Sequence, residues 1–417
     1  MSRQMKESGV EWIGQIPEDW EIARLKNLLE VPMQYGANSS GVEYSQDLPR
    51  YIRITDITND NQLNMDNLLS LPFEEAKPYL LEDNDILFAR SGATVGKTFI
   101  YHKEYGQAAF AGYLIRATIR TSVALSNFVY YSTLGSGYEQ WKNAIAIQAT
   151  ISNIGANKYN SYLLPLPSLS EQQRIVEYLD RKTSAIDRKI ELLNKKLDAY
   201  ARLKKSVIHR AVTRGLNPDV HLKDSGVEWI GQVPEHWETI RFKSVHNGGN
   251  VGISIDKEYW SSNNQDTVFY TAGLIPINTS FEAIIPSLFT HKNDLLVARN
   301  GTPYVYLPVE KAIYTDHIIR VQVRNAFDRK FIKYCLEQSI MTDMVDTVSI
   351  ATWSISIWNR QILPFPPLSE QTAIADYLDD KCRKIDSAAE IIRKQIEALK
   401  RLKRAYINEA VTGKRAI

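Results

Sequence analysis

Two arginines stand at the same place in two related segments, DILFARSG from Asp85 and DLLVARNG from Asp294. In each segment an apolar run typical of a buried strand ends in Ala-Arg, followed by a small polar residue and a glycine. Glycine can take the positive φ that a tight turn needs, so Arg90 and Arg299 are predicted at strand ends. A guanidinium there can bind phosphate oxygens or the O6 and N7 acceptors of guanine. A salt bridge to Asp85 or another acid is the open alternative.

The segment SGATVGKT, from Ser91 to Thr98, resembles a phosphate-binding loop of the form GxxxxGKT but lacks its first glycine. The residues that follow, FIYH, are typical of a strand, whereas a phosphate-binding loop leads into a helix whose N-terminus holds the phosphate. The corresponding stretch of the second segment, TPYVYL, has no Gly-Lys pair. The sequence therefore argues against nucleotide binding.

No other group of residues has the spacing of a catalytic or metal site. The seven histidines are scattered, and neither GxSxG nor Asn-Pro-Pro-Tyr occurs. Cys335 and Cys382 form neither a CxxC pair nor a disulfide framework. We therefore predict no catalytic residue, no metal ligand and no enzyme activity in this chain.

The composition is that of a folded protein, with 44% apolar and 24% charged residues among 417. A formal net charge of +2 is too small to identify a partner. The N-terminal residues lack the apolar core of a signal peptide, and no run of about 18 apolar residues occurs. With only two cysteines and no disulfide framework, the chain is predicted to be cytoplasmic.

Two heptad patterns of equal length provide the elements that must position the arginine segments. They begin at Ser170 and Ser369, an offset of 199 residues (369 − 170). We predict two helices of roughly 60 Å that bury their apolar seams against each other, each capped by its first serine. The seam residues, seven apart in each pattern, are Leu179, Ile186, Leu193, Tyr200 and Val207, and Leu378, Ile385, Ile392, Leu399 and Tyr406.

A second repeat precedes each half of the chain. KESGVEWIGQIPEDW begins at Lys6, and KDSGVEWIGQVPEHW begins at Lys223. The order is therefore short segment, cassette and long helix, and then the same three again. Antiparallel helices let the chain enter the second cassette without a return of roughly 60 Å, so we predict that arrangement. The tryptophans predicted to pack the short segments against the helices are Trp12, Trp20, Trp229 and Trp237.

Each cassette combines strand-like and helix-like segments. Strands are expected in RYIRITDIT, DILFAR, TFIYH and YLIRATIR of the first cassette, and in TVFYTAGL, DLLVAR and HIIRVQVR of the second. Helices are expected after Ser126 and Phe331. The predicted fold class is α+β (mixed α/β): two globular domains, a pair of long antiparallel coiled-coil helices between them, and a pseudo-two-fold internal repeat.

These duplicated segments resemble the specificity subunit of a type I restriction-modification enzyme over essentially the whole chain. The resemblance rests on DNDILFARSGATVGKT, YIRITDI, LPLPSLSEQQRIVEYLD, its second copy FPPLSEQTAIADYLD, and SGVEWIGQ in both halves. It implies an N-terminal segment (1–24), a first target recognition domain (25–164), a central long helix (165–216), a repeat of the N-terminal segment (217–241), a second target recognition domain (242–363) and a C-terminal long helix (364–417).

The resemblance also implies a function. Each recognition domain would read one half of a bipartite double-stranded DNA site, and the helices would set the unread gap and dock two modification (methyltransferase) subunits, which restriction subunits then join. S-adenosylmethionine, ATP and magnesium would belong to these partners, with no cofactor in this chain. The predicted DNA-binding residues are Arg53, Arg90, Ser91 and Lys97 in the first domain, and Lys292, Arg299, Asn300 and Arg320 in the second. Because side chains alternate along strands, some of these are expected to form buried ion pairs.

Two other functions stay open. One is a purely structural adaptor whose cassettes bind proteins, and the other is the specificity subunit of a related methyltransferase-nuclease fusion system. The basic residues of the helices could face DNA, an acidic partner surface or solvent. They are Lys195, Lys196, Lys204, Lys205, Arg401, Lys403 and Arg404.

Overall fold

The computed structural model describes residues 3–58, 61–92, 94–147, 153–264, 266–283, 285–343 and 352–417. The chain divides into two compact units, of which unit 1 comprises Met1–Leu193 with Arg393–Ile417 and unit 2 comprises Asn194–Ile392. Each unit therefore holds one half of each predicted long helix. The boundaries of the six segments inferred from the sequence remain predictions.

Unit 1 contains twelve strands among its described residues: β1 (Met5–Glu7), β2 (Gln15–Pro17), β3 (Glu21–Arg24), β4 (Gln34–Tyr35), β5 (Val42–Glu43), β6 (Arg50–Ile52), β7 (Leu69–Ser70), β8 (Ile86–Ala89), β9 (Thr98–Ile100), β10 (Ala108–Phe110), β11 (Leu114–Ala117) and β12 (Leu163–Leu166). Its helices are α1 (Phe73–Ala76), α2 (Ser126–Ser132), α3 (Ser136–Ile147), α4 (Ala156–Asn160), the first part of α5 (Leu169–Arg214) and the second part of α8 (Leu368–Val411). The two larger sheets have the strand orders β4-β11-β8-β9 and β10-β6-β7-β5.

Unit 2 repeats this plan in its described residues, with β13 (Leu222–Asp224), β14 (Gln232–Pro234), β15 (Glu238–Arg241), β16 (His246–Val251), β17 (Trp260–Ser261), β18 (Thr267–Tyr270), β19 (Ile277–Thr279), β20 (Asp294–Ala298), β21 (Val305–Tyr306), β22 (Ile313–Tyr314), β23 (Ile318–Val323) and β24 (Ile362–Phe365). Its helices are the second part of α5, α6 (Arg329–Asp343), α7 (Ile355–Arg360) and the first part of α8 (Leu368–Val411). The larger sheets have the orders β16-β23-β20-β21 and β17-β19-β18-β22. The mixed α/β class and the internal repeat are thus confirmed.

The central strands form where the sequence places short apolar runs between turns. Strand β8 is buried throughout and pairs antiparallel with β11, and β20 pairs with β23 in the same manner. In each unit one pair of neighbouring strands is parallel, β6 with β10 and β18 with β22. The predicted strands in both cassettes and the helix after Phe331 are therefore confirmed, and the helical region after Ser126 breaks at Gly135 between α2 and α3.

The short tryptophan segments pack against the first turns of the long helices. Trp20 is buried, and its indole N–H donates to the carboxylate of Glu171 at 3.0 Å. Trp237 is likewise buried and donates to Glu370 at 3.0 Å. Packing of these two predicted anchors against the helices is confirmed.

The capping prediction was wrong. Helices α5 and α8 begin at Leu169 and Leu368, so Ser170 and Ser369 already lie in the first turn. In α5 the hydroxyl that accepts a backbone N–H is that of Ser168, 3.4 Å from the nitrogen of Glu171. The prolines before each helix set its start, and in α8 the residue directly before Leu368 is Pro367 instead of a serine.

The heptad seam is buried or half-buried at all ten predicted positions. In unit 1, Leu179 packs in one cluster with Ile407 and Ala410. In unit 2, Leu378 packs with Ile208 and Ala211. Residues near the start of one long helix thus contact residues near the end of the other, which confirms the antiparallel arrangement within each unit.

Two of the basic residues on the helices form equivalent ion pairs across the seam. Lys403 lies 2.7 Å from Asp187 in unit 1, and Lys204 lies 2.7 Å from Asp386 in unit 2. Both lysines occupy heptad positions that alternate with the apolar seam residues. A charged residue at such a position favours one register, because other registers leave it without a partner.

Among the residues described, no helix is both long enough and apolar enough to cross a membrane.

Reversing one charge of an ion pair across the helices should weaken their pairing. In Asp187→Lys two ammonium groups face each other, and we expect the free energy of unfolding to fall by about 0.5–1 kcal/mol. Lys403→Asp added to that change should recover most of the loss. A double-mutant cycle on the denaturant midpoints measures the coupling, with Asp198→Lys, on the same helix, as the control. A coupling energy of zero would show that the pair does not stabilise the register.

Candidate nucleic-acid interface

Arg90 and Arg299 follow strands β8 and β20, and each is held in place by its backbone. The N–H of Arg90 donates to the carbonyl of Tyr113 at 3.0 Å, and that of Arg299 to the carbonyl of His317 at 2.8 Å. The glycines two residues further on have φ values of 76° and 77°, as the turn requires. Both arginines therefore sit at strand ends, as the sequence predicts.

The parallel strand pairs bring further residues to the same ends of the sheets. Because β6 and β10 are parallel, the residues that follow them lie at one edge, and the Ala111 N–H donates to the Ile52 carbonyl at 2.9 Å there. The same holds for β18 and β22, where the Thr315 N–H donates to the Tyr270 carbonyl at 2.9 Å. We define the strand-end surface of unit 1 as Arg53, Arg90, Ser91 and Tyr113, and that of unit 2 as Thr271, Arg299, Asn300, Asp316 and His317.

The side chain of Arg90 has no acidic partner in the described part of the chain. Its guanidinium lies over the ring of Tyr35, 4.9 Å from the centroid, and its Nε is buried without a hydrogen-bond partner. The alternative salt bridge to Asp85 is absent, because that residue lies at the other end of β8 and accepts a hydrogen bond from Thr118. A cation stacked on an aromatic ring with open N–H groups can bind a phosphate or a base edge.

Arg53, on the same surface, is already bound to other groups of the chain. Its guanidinium forms an ion pair with Asp56 at 2.8 Å and donates to the Asn67 carbonyl at 2.8 Å. Ser91 is half-buried, and its backbone forms an isolated antiparallel β-bridge with Asn153. Lys97, after the turn, is also half-buried. Residue 93 of that turn lies outside the described residues.

On the strand-end surface of unit 2, Arg299 is exposed, and among the described residues its guanidinium makes a weak hydrogen bond to the Asp316 carbonyl at 3.3 Å. Asn300 Nδ2 lies 2.8 Å from His317 Nδ1. This pair presents an amide and an imidazole beside the guanidinium. Such groups can donate to and accept from the edges of bases.

The other two predicted residues of unit 2 are not brought to this surface. Arg320 donates to the Phe289 carbonyl at 2.6 Å, and its Nη1 lies 3.5 Å from Asp294 Oδ2, at the start of β20. Lys292 is exposed in the turn before that strand, whereas Arg299 follows its end. Arg320 thus forms the expected buried ion pair, and the predicted set is divided between two ends of the sheet.

Unit 1 has the counterpart of this ion pair, which the sequence analysis missed. Arg116 Nη1 lies 3.7 Å from Asp85 Oδ2 and donates to the Leu80 carbonyl. Burial raises the pKa of Asp85, and burial likewise raises the pKa of Asp294. Hydrogen bonds and the nearby guanidinium only partly oppose this effect. The signal was available, since an arginine occupies the same place in YLIRATIR and HIIRVQVR.

Tyr35 was also missed, and here no signal was available. Tyr35 and Arg90 are distant in sequence, and they meet because β4 pairs with β11, which in turn pairs with β8. Neither residue type nor spacing marks such a contact before the sheet order is known.

The comparisons with known proteins agree with this architecture. The family model for the type I restriction modification DNA specificity domain matches residues 17–199 and 234–400. The type I restriction enzyme MjaVIII specificity subunit of Methanocaldococcus jannaschii is 22% identical over 96% of this chain and 93% of its own length. The type I restriction enzyme EcoKI specificity subunit of Escherichia coli K12 is 22% identical over 96% and 90%.

Two solved structures are similar in fold. A chain from a study of complex assembly and conformational transition of the type I R-M system aligns with a TM-score of 0.71, 15% identity, and coverage of 96% of this chain and 99% of that one. The HsdS subunit from Thermoanaerobacter tengcongensis aligns with a TM-score of 0.50, 15% identity, and coverage of 96% and 98%.

The buried Asp85 carboxyl should make stability depend on pH. Its pKa in the folded chain lies above the ordinary value of 3.8, so between the two pKa values the folded state binds the proton more tightly than the unfolded state. The free energy of unfolding should therefore fall as pH rises through that interval, from about pH 4 upward.

Asp85→Asn cannot ionise, and we expect it to reduce this fall, whatever its constant effect on stability. Denaturant unfolding at a series of pH values measures the slope, with the exposed neighbour Asp83→Asn as the control. An unchanged slope in Asp85→Asn, with a changed slope in Asp83→Asn, would contradict the assignment.

Proposed function

This chain belongs to the family of the type I restriction modification DNA specificity domain, and from that premise we propose that each unit reads one half of a bipartite, gapped DNA sequence. The chain is a DNA-specificity subunit without catalytic activity of its own. The observation that carries the proposal is the pair of equivalent strand-end arginines. Arg90 and Arg299 each hold a positive charge that no acidic side chain of the described chain neutralises.

The surroundings of the two arginines support different sequence preferences. Beside Arg90 lie the ring of Tyr35 and Tyr113, whose side chain is 62% exposed. Beside Arg299 lie Asn300 and His317. Arginine suits guanine or phosphate, asparagine suits adenine, and imidazole can donate or accept. Of the eight residues predicted to bind DNA, Arg90, Ser91, Arg299 and Asn300 are the stronger candidates, and Lys97 and Lys292 suit phosphate contacts. Arg53 and Arg320, whose guanidinium groups are paired with Asp56 and Asp294, are the weaker candidates.

We further propose that the long helices dock two methyltransferase subunits. Exposed apolar side chains recur on them at an offset of 199 residues: Leu192 and Ile391, and Leu203 and Leu402. Unit 1 carries Leu192 and Leu402, and unit 2 carries their counterparts. Two equivalent apolar surfaces suit two copies of one partner. Restriction subunits would join through these partners, which would also supply S-adenosylmethionine and ATP with magnesium. The assembly would work on DNA in the cytoplasm.

A structural adaptor is the competing function. The two are separable because phosphate contacts release counterions, so the affinity of a DNA reader falls steeply with salt concentration. Binding of the assembled complex to duplex DNA at several salt concentrations would show a steep slope for a reader and little slope for an adaptor. The genes beside this one distinguish the methyltransferase-nuclease fusion variant.

Expression of the chain with its methyltransferase should produce a new methylated motif. Single-molecule sequencing of modified bases should show a gapped motif that is absent from cells lacking the chain. Exchange of residues 25–164 for those of a relative should change one half of the motif only. A complex that assembles but leaves no dependent methylation would favour the adaptor.

Within this experiment, Arg90→Ala and Arg299→Ala serve as matched variants. Each should reduce methylation through its own half-site, since a good base contact contributes about 1–3 kcal/mol of discrimination. Sites that differ in the first half should become tolerated by Arg90→Ala, and sites that differ in the second by Arg299→Ala. Equal relaxation of both halves by either variant would contradict the assignment of one arginine to each half.

The length of the unread gap should follow the length of the helices. Insertion of one heptad after Leu193 and another after Ile392 preserves the seam and adds about 10 Å, close to three base pairs of duplex. We expect the methylated motif to gain a gap longer by about that number. The insertion in one helix alone breaks the register and serves as the control. An unchanged gap with both insertions would show that the helices do not set it.

A further inference from the structure

The connection between β18 and β19 presents two adjacent apolar side chains to solvent. Leu274 is 66% exposed and Ile275 is 76% exposed, the highest value for a large apolar side chain in the part of the chain that the structure describes. Apolar surface in water is unfavourable, and folded chains normally turn such side chains inward. Two adjacent exposed apolar side chains at the tip of a six-residue connection therefore indicate a contact surface.

The tip is held by hydrogen bonds and ring packing. The hydroxyl of Tyr306 donates to the Gly273 carbonyl at 3.0 Å and lies 3.4 Å from the Thr271 carbonyl. The ring of Tyr306 packs edge-on against Tyr270, with 5.7 Å between centroids. The Gly273 N–H also donates to the Thr271 hydroxyl at 3.3 Å. The two apolar residues are thus presented on an anchored turn.

The tip belongs to the same end of the sheet as the strand-end surface of unit 2. It follows β18, and the parallel neighbour β22 leads at that end into Asp316 and His317. Those residues contact Arg299 and Asn300. The structure therefore brings an apolar pair, a guanidinium, an amide and an imidazole to one end of unit 2.

We propose that Leu274 and Ile275 form a wedge that inserts between neighbouring base pairs of the half-site read by unit 2. The inference rests on the proposed function and adds a deformation of the DNA to it. Apolar side chains that enter a base step partly unstack it and kink the duplex, and the bent duplex then contacts more protein surface. The adjacent guanidinium and polar groups suit the phosphates and base edges flanking the step.

A protein partner fits this surface less well. Stable protein interfaces have an apolar core surrounded by a polar rim and bury on the order of 800 Å² on each partner. Here two apolar side chains stand on a narrow turn beside a charged guanidinium. A base step needs only one or two side chains, because the gap that they fill is a single step.

The proposal is confined to unit 2. The corresponding connection of unit 1, between β6 and β7, carries one exposed methionine, Met65, whose sulfur accepts a hydrogen bond from Arg50 at 3.2 Å. Two of its residues, 59 and 60, lie outside the described part. The expected unstacking is therefore at the second half-site.

The test uses the complete complex of this chain with its methyltransferase subunits and a linear duplex that carries the methylated motif. Permanganate oxidises thymines that are unstacked. With the wild-type complex we expect enhanced oxidation at one step of the second half-site. The variant Leu274→Ala with Ile275→Ala should return oxidation there to the level of free duplex and weaken binding by about 10-fold, the loss of roughly one buried apolar side chain.

Val309→Ala is the matched control. Val309 is an apolar residue of unit 2 that is 52% exposed and precedes β22, and its backbone N–H, which alanine keeps, donates to the Tyr270 hydroxyl at 3.2 Å. It should change neither oxidation nor affinity.

Three outcomes would overturn the wedge: undistorted DNA in the wild-type complex, unchanged oxidation in the double variant, or loss of methyltransferase subunits from the double variant. The last would identify a protein contact. Absence of sequence-specific binding by the wild-type complex would instead contradict the proposed function, so the two failures are distinguishable.

Discussion

The architecture of both units depends on a Glu-Gln pair in the first turn of each long helix. Glu171 accepts the indole N–H of Trp20, and Gln172, fully buried, accepts the Leu125 N–H at 2.8 Å and donates to the Pro167 carbonyl at 2.9 Å. A buried amide is tolerated only when its hydrogen bonds are made, so these partners are fixed in position. Three separate parts of unit 1, the tryptophan segment, the start of α2 and the start of α5, are joined at this point.

Unit 2 uses the same solution with different neighbours. Gln371 is fully buried, accepts the Asp328 N–H at 2.9 Å and donates to the Pro366 carbonyl at 2.9 Å. Asp328 directly precedes α6, as Leu125 directly precedes α2. Each recognition domain is therefore attached to its long helix through the helix that follows its sheets. At these glutamines the attachment uses backbone groups of the domain, and Tyr131 of α2 and Tyr334 of α6 add side-chain hydrogen bonds to Asp180 and Asp379.

The sequence could predict what is periodic or local. Heptads, apolar runs and turn glycines each reflect a geometry that one segment adopts alone, and the helices, the central strands and the positions of Arg90 and Arg299 follow from them. Contacts between distant segments were not predictable. The choice of partner for Arg53 and the stacking of Tyr35 under Arg90 depend on sheet order. Lys292 and Arg320 are separated from Arg299 because their side chains lie near the start of β20, whereas Arg299 follows its end. Residue type alone does not indicate that difference.

The two strand-end surfaces have the same backbone arrangement but different side chains. Steric constraints at two glycines explain why the backbone is the same. A Cβ on Gly36 would lie 2.3 Å from the Phe110 carbonyl oxygen, and one on Gly252 would lie 2.0 Å from that of Tyr314. After the edge strand of each unit, β4 or β16, the chain passes so close to the backbone of the parallel strand, β10 or β22, that only glycine fits.

The residues just before these glycines, Tyr35 and Val251, occupy equivalent register positions, opposite Ile115 and Ile319. Neither exposed side chain takes part in the steric constraint that sets the backbone. Substitutions at Val251, Tyr113 and His317 can therefore alter the groups offered to DNA while the sheets and the helix attachment stay as they are. Tyr35 has a structural role as well, because its hydroxyl accepts the Ala156 N–H at 3.1 Å at the start of α4. A scaffold of this kind can carry two different readers in one chain.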